Sequence, residues 1–243
     1  AFDALRDQGV RLQDTSNHLA RNLARLELGD TRVVPQLAKL AASASTPAIW
    51  RATTIEALGD VGGRDTLQTI TTTLYDEDSI IRSSTVRALQ FLPLPQRLQL
   101  LTPLLDDPIT SVRLEIARSL AGVPLDQVSA EQSQKLGALF REFVAVNTRH
   151  ADMPGSQLQL GLFYSNRGDS VAAEKAYREA LYLNGQLLPA YLNLADLLRA
   201  QGRDNEAREL LFKALTIAPE NGDTLHAIGL LETRSGELEE ALN

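Results

Sequence analysis

With 243 residues, 44% of them hydrophobic, the chain is long enough to bury a sizeable core in one or two domains. It contains no cysteine, which excludes disulfides, thiolate zinc sites, iron–sulfur clusters and covalently attached haem within this segment. A formal net charge of −7 argues against a nucleic-acid partner, and the lack of long apolar runs argues against membrane insertion.

Residues 1–30 are predicted to hold a connector followed by one helix. Ser16 is a candidate cap for this helix, and leucines at helical spacing follow it as far as Leu28. The chain begins at Ala1 without an initiator methionine, and it ends at Asn243 inside a predicted helix. We therefore interpret it as a piece of a longer protein, whose localisation this sequence does not specify.

A period of 31 residues follows. An arginine and, seven residues later, a leucine recur at this step: Arg51, Arg82 and Arg113, then Leu58, Leu89 and Leu120. Within each unit the apolar residues are spaced by three or four, which places them on one helical face. The predicted helix pairs are 31–43 with 47–58, 64–75 with 79–90, and 95–105 with 109–121. Asp78 is a candidate cap for the second helix of the middle pair.

Two of these units have an aspartate in the turn before the arginine. Asp76 precedes Arg82 by six residues, and Asp107 precedes Arg113 by six. A turn aspartate, an arginine six residues later and an apolar seam resemble HEAT-type repeats, to which we assign residues 31–123. The resemblance implies that these charged residues stack and cap adjacent repeats; contact with a ligand is the alternative.

Residues 124–153 are predicted to form a junction helix and a hinge. Ser129 and Gln132 have the spacing of a capping box, and leucines and phenylalanines at helical spacing follow them. A Pro-Gly pair then favours a hinge over residues 149–155.

A second period, of 34 residues, occupies 154–243. It aligns glycines and alanines: Gly161, Ala195 and Gly229; Gly168, Gly202 and Gly236; and Ala173, Ala207 and Ala241. Small residues allow two helices to approach closely, and glycine suits a left-handed helix end. The predicted helices are 156–167, 170–184, 188–201, 204–217, 222–234 and one from 237 onwards.

This second pattern resembles the tetratricopeptide repeat (TPR). The middle unit, from Tyr191 to Pro219, matches the repeat best. The third unit is truncated, and Glu232 stands where an apolar residue is usual. Together the two periods predict an all-α fold: an α-solenoid of stacked helix pairs, with a HEAT-like array followed by a TPR array.

No arrangement of residues predicts catalysis or a cofactor. The three histidines, His18, His150 and His226, lie in different parts of the chain, and no HExxH motif, phosphate-binding loop or GxSxG motif occurs. The carboxylates are spread over predicted helix faces and turns, and no two of them form a pair suited to general acid–base catalysis. We therefore expect no enzyme activity, no cofactor and no metal site within this segment.

The TPR resemblance implies that the first helix of each repeat lines a concave groove for a protein or peptide partner. The candidate partner-binding residues are Gln159, Asn193, Asp196, Arg199, His226 and Thr233. The resemblance further implies that Asn193 can hold a peptide backbone, although it and Arg199 can also be ordinary solvated residues. The carboxylate-clamp subtype is not expected, because Leu158, Leu162 and Ala227 occupy places where it needs polar side chains. The expected function is a protein–protein interaction scaffold.

A second resemblance offers another function. The order of HEAT-type units, junction helix and the segments 190–196 and 225–230 resembles the C-terminal region of some periplasmic multihaem cytochrome c-like proteins. It implies a non-catalytic region of a redox protein, a periplasmic location and an upstream haem domain of the same chain as a partner. The haem-binding Cys-x-x-Cys-His motifs of that family would lie upstream of this segment.

Overall fold

The computed structural model describes residues 15–235, and each regular element in that range is helical. The chain divides into two compact units, Ala1–Leu120 and Ala121–Asn243. Each unit is an all-α solenoid of stacked helix pairs, as the two sequence periods predict. The finer division at residues 30, 123 and 153 stays a prediction.

The first unit contains the 31-residue repeats. Its helices are α1 (Thr15–Glu27), α2 (Val34–Ala42), α3 (Ala48–Val61), α4 (Arg64–Thr72), α5 (Ser79–Ala88), α6 (Leu94–Leu101) and α7 (Thr110–Ser119). Short 3-10 turns precede α2 and follow α4, α5 and α6. The predicted pairs correspond to α2 with α3, α4 with α5, and α6 with α7. Ser16 is not the cap of α1, because Thr15 already lies within that helix.

The core of this unit follows the 31-residue step. Leu58, Leu89 and Leu120 are all fully buried. Helices α3 and α5 touch backbone to backbone: a Cβ atom on Gly59 would lie 2.6 Å from both the Cα and the carbonyl oxygen of Ala88. This contact requires the absence of a side chain at position 59.

Buried ion pairs join consecutive repeats of the first unit. The guanidinium of Arg82 donates two hydrogen bonds to the Asp107 carboxylate, from Nε at 2.7 Å and from Nη2 at 3.0 Å. One repeat earlier, Arg51 pairs with Asp76 through Nη2 alone, while its Nε donates to the carbonyl oxygen of Ala41 at 2.9 Å. Arg82 also donates to the carbonyl oxygens of Asp76 at 2.8 Å and Glu77 at 3.1 Å. These two backbone acceptors in the turn of its own repeat thereby gain a hydrogen-bond partner. The predicted stacking and turn-capping role is confirmed.

The second unit contains the junction helix and the 34-residue repeats. Its helices are α8 (Ala130–Arg149), α9 (Pro154–Asn166), α10 (Ser170–Leu183), α11 (Leu188–Ala200), α12 (Asp204–Ile217) and α13 (Gly222–Ser235). The Ser129–Gln132 capping box is present, with both hydrogen bonds at 3.2 Å. The predicted hinge over 149–155 is too long, because α8 includes Arg149 and α9 begins at Pro154. Proline suits a first helical position, where its missing N–H needs no partner.

Small residues facing large ones form the core of the second unit. Tyr177 on α10 is 1% exposed, and its ring packs over Gly161 on α9 so closely that a Cβ there would lie 2.4 Å away. Gly168 and Gly202 have φ of 78° and 76°, so they end α9 and α11 in the left-handed conformation that the 34-residue period predicts. The predicted helix from residue 237, with Gly236 and Ala241, lies outside the described residues.

Glu232 departs from the repeat pattern, and the structure shows how it is accommodated. Its side chain on α13 is buried, and Oε1 lies 3.0 Å from Nη1 of Arg208 on α12. A buried ion pair between the two helices thus replaces the usual apolar contact.

Candidate functional site

The six residues predicted to contact a partner lie on the first helices of the 34-residue repeats. We call their surface the first-helix face: Gln159 on α9; Asn193, Asp196 and Arg199 on α11; and His226 and Thr233 on α13. Helix α11 packs against both α9 and α13, so these helices lie side by side. The structure therefore places the predicted residues on adjacent helices.

The three residues on α11 lie on one side of that helix, since they are spaced by three. Asp196 is exposed, while Asn193 and Arg199 are half-buried. Arg199 donates from Nη2 to Oδ1 of Asp196 at 3.0 Å. Asn193 donates from Nδ2 to the carbonyl oxygen of Pro189, one turn earlier, at 2.8 Å. An ion pair whose carboxylate is exposed contributes little to stability, so Asp196 is available to a partner.

The predicted residues on the flanking helices α9 and α13 make few hydrogen bonds with other described residues. Thr233 donates to the carbonyl oxygen of Gly229 in its own helix, at 2.7 Å. Gln159 is half-buried and His226 is exposed. Neither makes a hydrogen bond or an ion pair within the part of the chain that the structure describes.

Other charged residues hold the repeats together. Arg203, which precedes α12, donates to Glu174 of α10 at 2.6 Å and to Glu206 at 2.7 Å. The hydrogen bond from Arg203 lowers the pKa of Glu174 against an opposing effect of burial. The charges that link these two repeats therefore lie outside the first-helix face.

A groove beside α8 was not anticipated from the sequence. Helices α8 and α9 border a cavity of about 680 Å³ whose apolar floor is formed by Phe140, Val144, Phe163 and Tyr164. We call it the α8–α9 groove. Part of the signal lies in the sequence, since Phe140 is one of the phenylalanines at helical spacing that predict the junction helix. Its pairing with residues of α9 depends on how the two helices pack, which the spacing within one helix does not reveal.

Among the residues that the structure describes, no helix is long and apolar enough to cross a membrane. In the same range, the acidic side chains and histidines form no group of three or more that is suited to holding a metal ion.

Comparison with known families identifies both repeat types. A family model of HEAT repeats matches residues 34–121. Two models of the tetratricopeptide repeat match residues 154–187 and 190–225. No curated protein matches the chain. These findings do not bear on the resemblance to multihaem cytochromes, which stays a prediction. The chain thus carries HEAT repeats followed by tetratricopeptide repeats, two classes typical of protein-interaction scaffolds.

Proposed function

We propose that the chain is a protein–protein interaction scaffold that binds a protein or peptide partner on the first-helix face. The observation that carries this proposal concerns hydrogen bonds. Gln159 and His226 make no hydrogen bond or ion pair with the described residues, and the side-chain hydrogen bonds of Asn193 and Thr233 go to carbonyl oxygens of their own helices. Polar side chains that stabilise no repeat interface leave a surface free for a partner. Stacked helices extend that surface across successive repeats.

The second helices offer the competing surface. Tyr182 on α10 is 84% exposed, and Phe212 on α12 is 49% exposed. Exposed aromatic side chains are frequent in binding sites, so a partner could use this side of the repeats instead. The experiment must therefore compare the two surfaces directly.

Site-specific photocrosslinking makes this comparison. A benzophenone amino acid would replace Asp196 or His226 on the first-helix face, and Lys175 or Lys213 on the second helices, in the full chain expressed in its own host. All four side chains are exposed, so the substitutions should not disturb the core. We expect the same crosslinked partner from positions 196 and 226. Crosslinks to a common partner only from positions 175 and 213 would move the site to the second helices.

A second proposal concerns a larger protein. We infer from the resemblance of segments 190–196 and 225–230 that the chain can instead be the non-catalytic C-terminal region of a periplasmic multihaem cytochrome c-like redox protein. An upstream haem domain of the same chain would then be its partner. The gene sequence preceding the codon for Ala1 tests this: several Cys-x-x-Cys-His motifs and a signal peptide would support it, and their absence would refute it.

A further inference from the structure

The α8–α9 groove has a rigid aromatic floor. The ring of Phe163 stacks on Phe143 with centroids 4.8 Å apart, and it packs against Phe140 in a T-shaped arrangement with centroids 5.5 Å apart. Tyr164 packs against Phe163 at 5.8 Å. Val144 and Tyr164 remain half-buried, so part of this apolar surface faces solvent. A preformed floor of this kind binds an apolar side chain at a low cost in conformational entropy.

Arg167 fixes one edge of the groove. Its Nη1 donates to the carbonyl oxygens of Ala121 at 2.9 Å and Val123 at 2.6 Å, and its guanidinium lies 5.0 Å from the centre of the Phe140 ring. This arginine therefore has a structural role in holding the chain that enters α8. Asp169, the acidic residue at this edge, also has a structural role, since it accepts a hydrogen bond from the N–H of Ala172 at the start of α10.

Arg141 and Arg149 on α8 differ from Arg167 and Asp169 because their charged groups have no structural role in the described residues. Both line the groove and both are exposed. Neither makes a hydrogen bond or an ion pair with any residue that the structure describes. They are eight residues apart in one helix, so their backbones are separated by about 12 Å along its axis.

The charge of the surrounding sequence makes this pair distinctive. Residues 124–243 contain eleven basic and seventeen acidic residues, so this half of the chain is acidic. An extended polyanion would meet repulsion beyond the groove, whereas a short segment with local carboxylates would not. Charge complementarity at the groove therefore favours a short acidic peptide.

We propose that the α8–α9 groove binds an acidic peptide segment of a partner protein. One or two large apolar side chains of the peptide lie on the aromatic floor, and flanking Asp or Glu side chains pair with Arg141 and Arg149. In an extended peptide, a separation of about 12 Å corresponds to about four residues. The groove contains none of the six residues of the first-helix face, so this proposal does not depend on the function proposed above.

Peptide selection tests the chemistry of the occupant. Ala145 lines the groove and is exposed, so Ala145→Trp fills the groove without altering the core. Random twelve-residue peptides displayed on phage would be selected on the full chain after depletion on this variant. We expect enrichment of Leu or Phe flanked by Asp or Glu. Failure of any peptide to distinguish the two proteins, or enrichment of peptides without acidic residues, would overturn the proposal.

Charge reversal tests the two arginines. We expect Arg141→Glu/Arg149→Glu to weaken binding of a selected, fluorescein-labelled peptide about tenfold or more, as measured by fluorescence anisotropy. The matched control is Lys175→Glu/Lys213→Glu, which makes the same change in net charge at exposed lysines of the same unit. The control should change the affinity less than about twofold. An equal loss in both double variants would show that net charge alone attracts the peptide.

Vesicles test the competing class of partner. Phosphatidylglycerol vesicles should bind the wild-type chain and the Arg141→Glu/Arg149→Glu variant equally weakly in a sedimentation assay. Strong vesicle binding that the double variant loses, combined with no peptide binding, would assign the groove to an anionic lipid surface and overturn the proposal. Circular dichroism of each variant would confirm that its helices are retained.

Discussion

The two units stack helix pairs in similar ways, but the ion pairs that join their repeats differ in how far they are buried. In the first unit the ion pair between Arg82 and Asp107 is buried, with the residues 8% and 6% exposed. In the second unit the pairs are more exposed: Arg203 and Glu174 are 34% and 20% exposed, and Arg208, the partner of the buried Glu232, is 26% exposed. Gly161 and Tyr177 pack by shape between the two helices of one repeat. A buried pair fixes which residues must meet, whereas small-against-large packing fixes how closely helices approach. Both can specify a regular stack.

Substitution of Asp107 should have the largest effect. Asp107→Ala is expected to destabilise the first unit by about 3–5 kcal/mol, because it leaves the buried guanidinium of Arg82 without its carboxylate. Trp50, the only tryptophan, lies in α3, so its fluorescence in urea follows this unit alone. A loss below about 1 kcal/mol would mean that the pair behaves like an ordinary surface ion pair.

Gly161 should give the next largest effect. Gly161→Ala is expected to destabilise the second unit by about 1–3 kcal/mol, because the new methyl group would overlap the ring of Tyr177. Gly229 is the matched control at the equivalent repeat position, where no described atom lies within 4 Å of an added Cβ. Gly229→Ala should stabilise α13 by about 0.5–1 kcal/mol. Hydrogen exchange of peptides from each helix would measure both changes, and effects of the same sign would contradict the packing argument.

Acid should weaken the first unit through Asp107. Burial opposes ionisation of this carboxyl, but hydrogen bonds from Arg82 and from the N–H of Ile109 outweigh it and hold its pKa below 3.8. The ionised form therefore stabilises the fold above the pKa of the unfolded chain, and this contribution is lost as the pH falls through the folded-state pKa. Urea midpoints from Trp50 fluorescence should fall below pH 4. Asp107→Asn should show a weaker fall, and identical pH profiles would contradict this assignment.

Glu206 should give the smallest effect. Its ion pair with Arg203 is half-exposed, so solvent screens it and Arg203 keeps its bond to Glu174. Glu206→Ala should leave hydrogen exchange in α10 and α12 nearly unchanged. A loss comparable to that of Asp107→Ala would remove the distinction between the two units.

The sequence predicts the helices well because the spacing of apolar residues along the chain encodes them. The helix predicted over 204–217 has those bounds in the structure, and the capping box at Ser129 is present. The partner of Arg82 is harder to predict, since it is Asp107, 25 residues further on, and not the aspartate of its own turn. Such pairs depend on the stacking of whole repeats. The same reason explains why neither the α8–α9 groove nor the partner of Glu232 was anticipated.

The most direct test of the scaffold function is amide chemical-shift mapping of the full, deuterated chain. The titrant is the partner segment identified by crosslinking. We expect the largest shift changes at Gln159, Asn193, Asp196 and His226, with smaller changes on α10 and α12. Shift changes confined to α10 and α12 would contradict this expectation, because they would place the partner on the second helices.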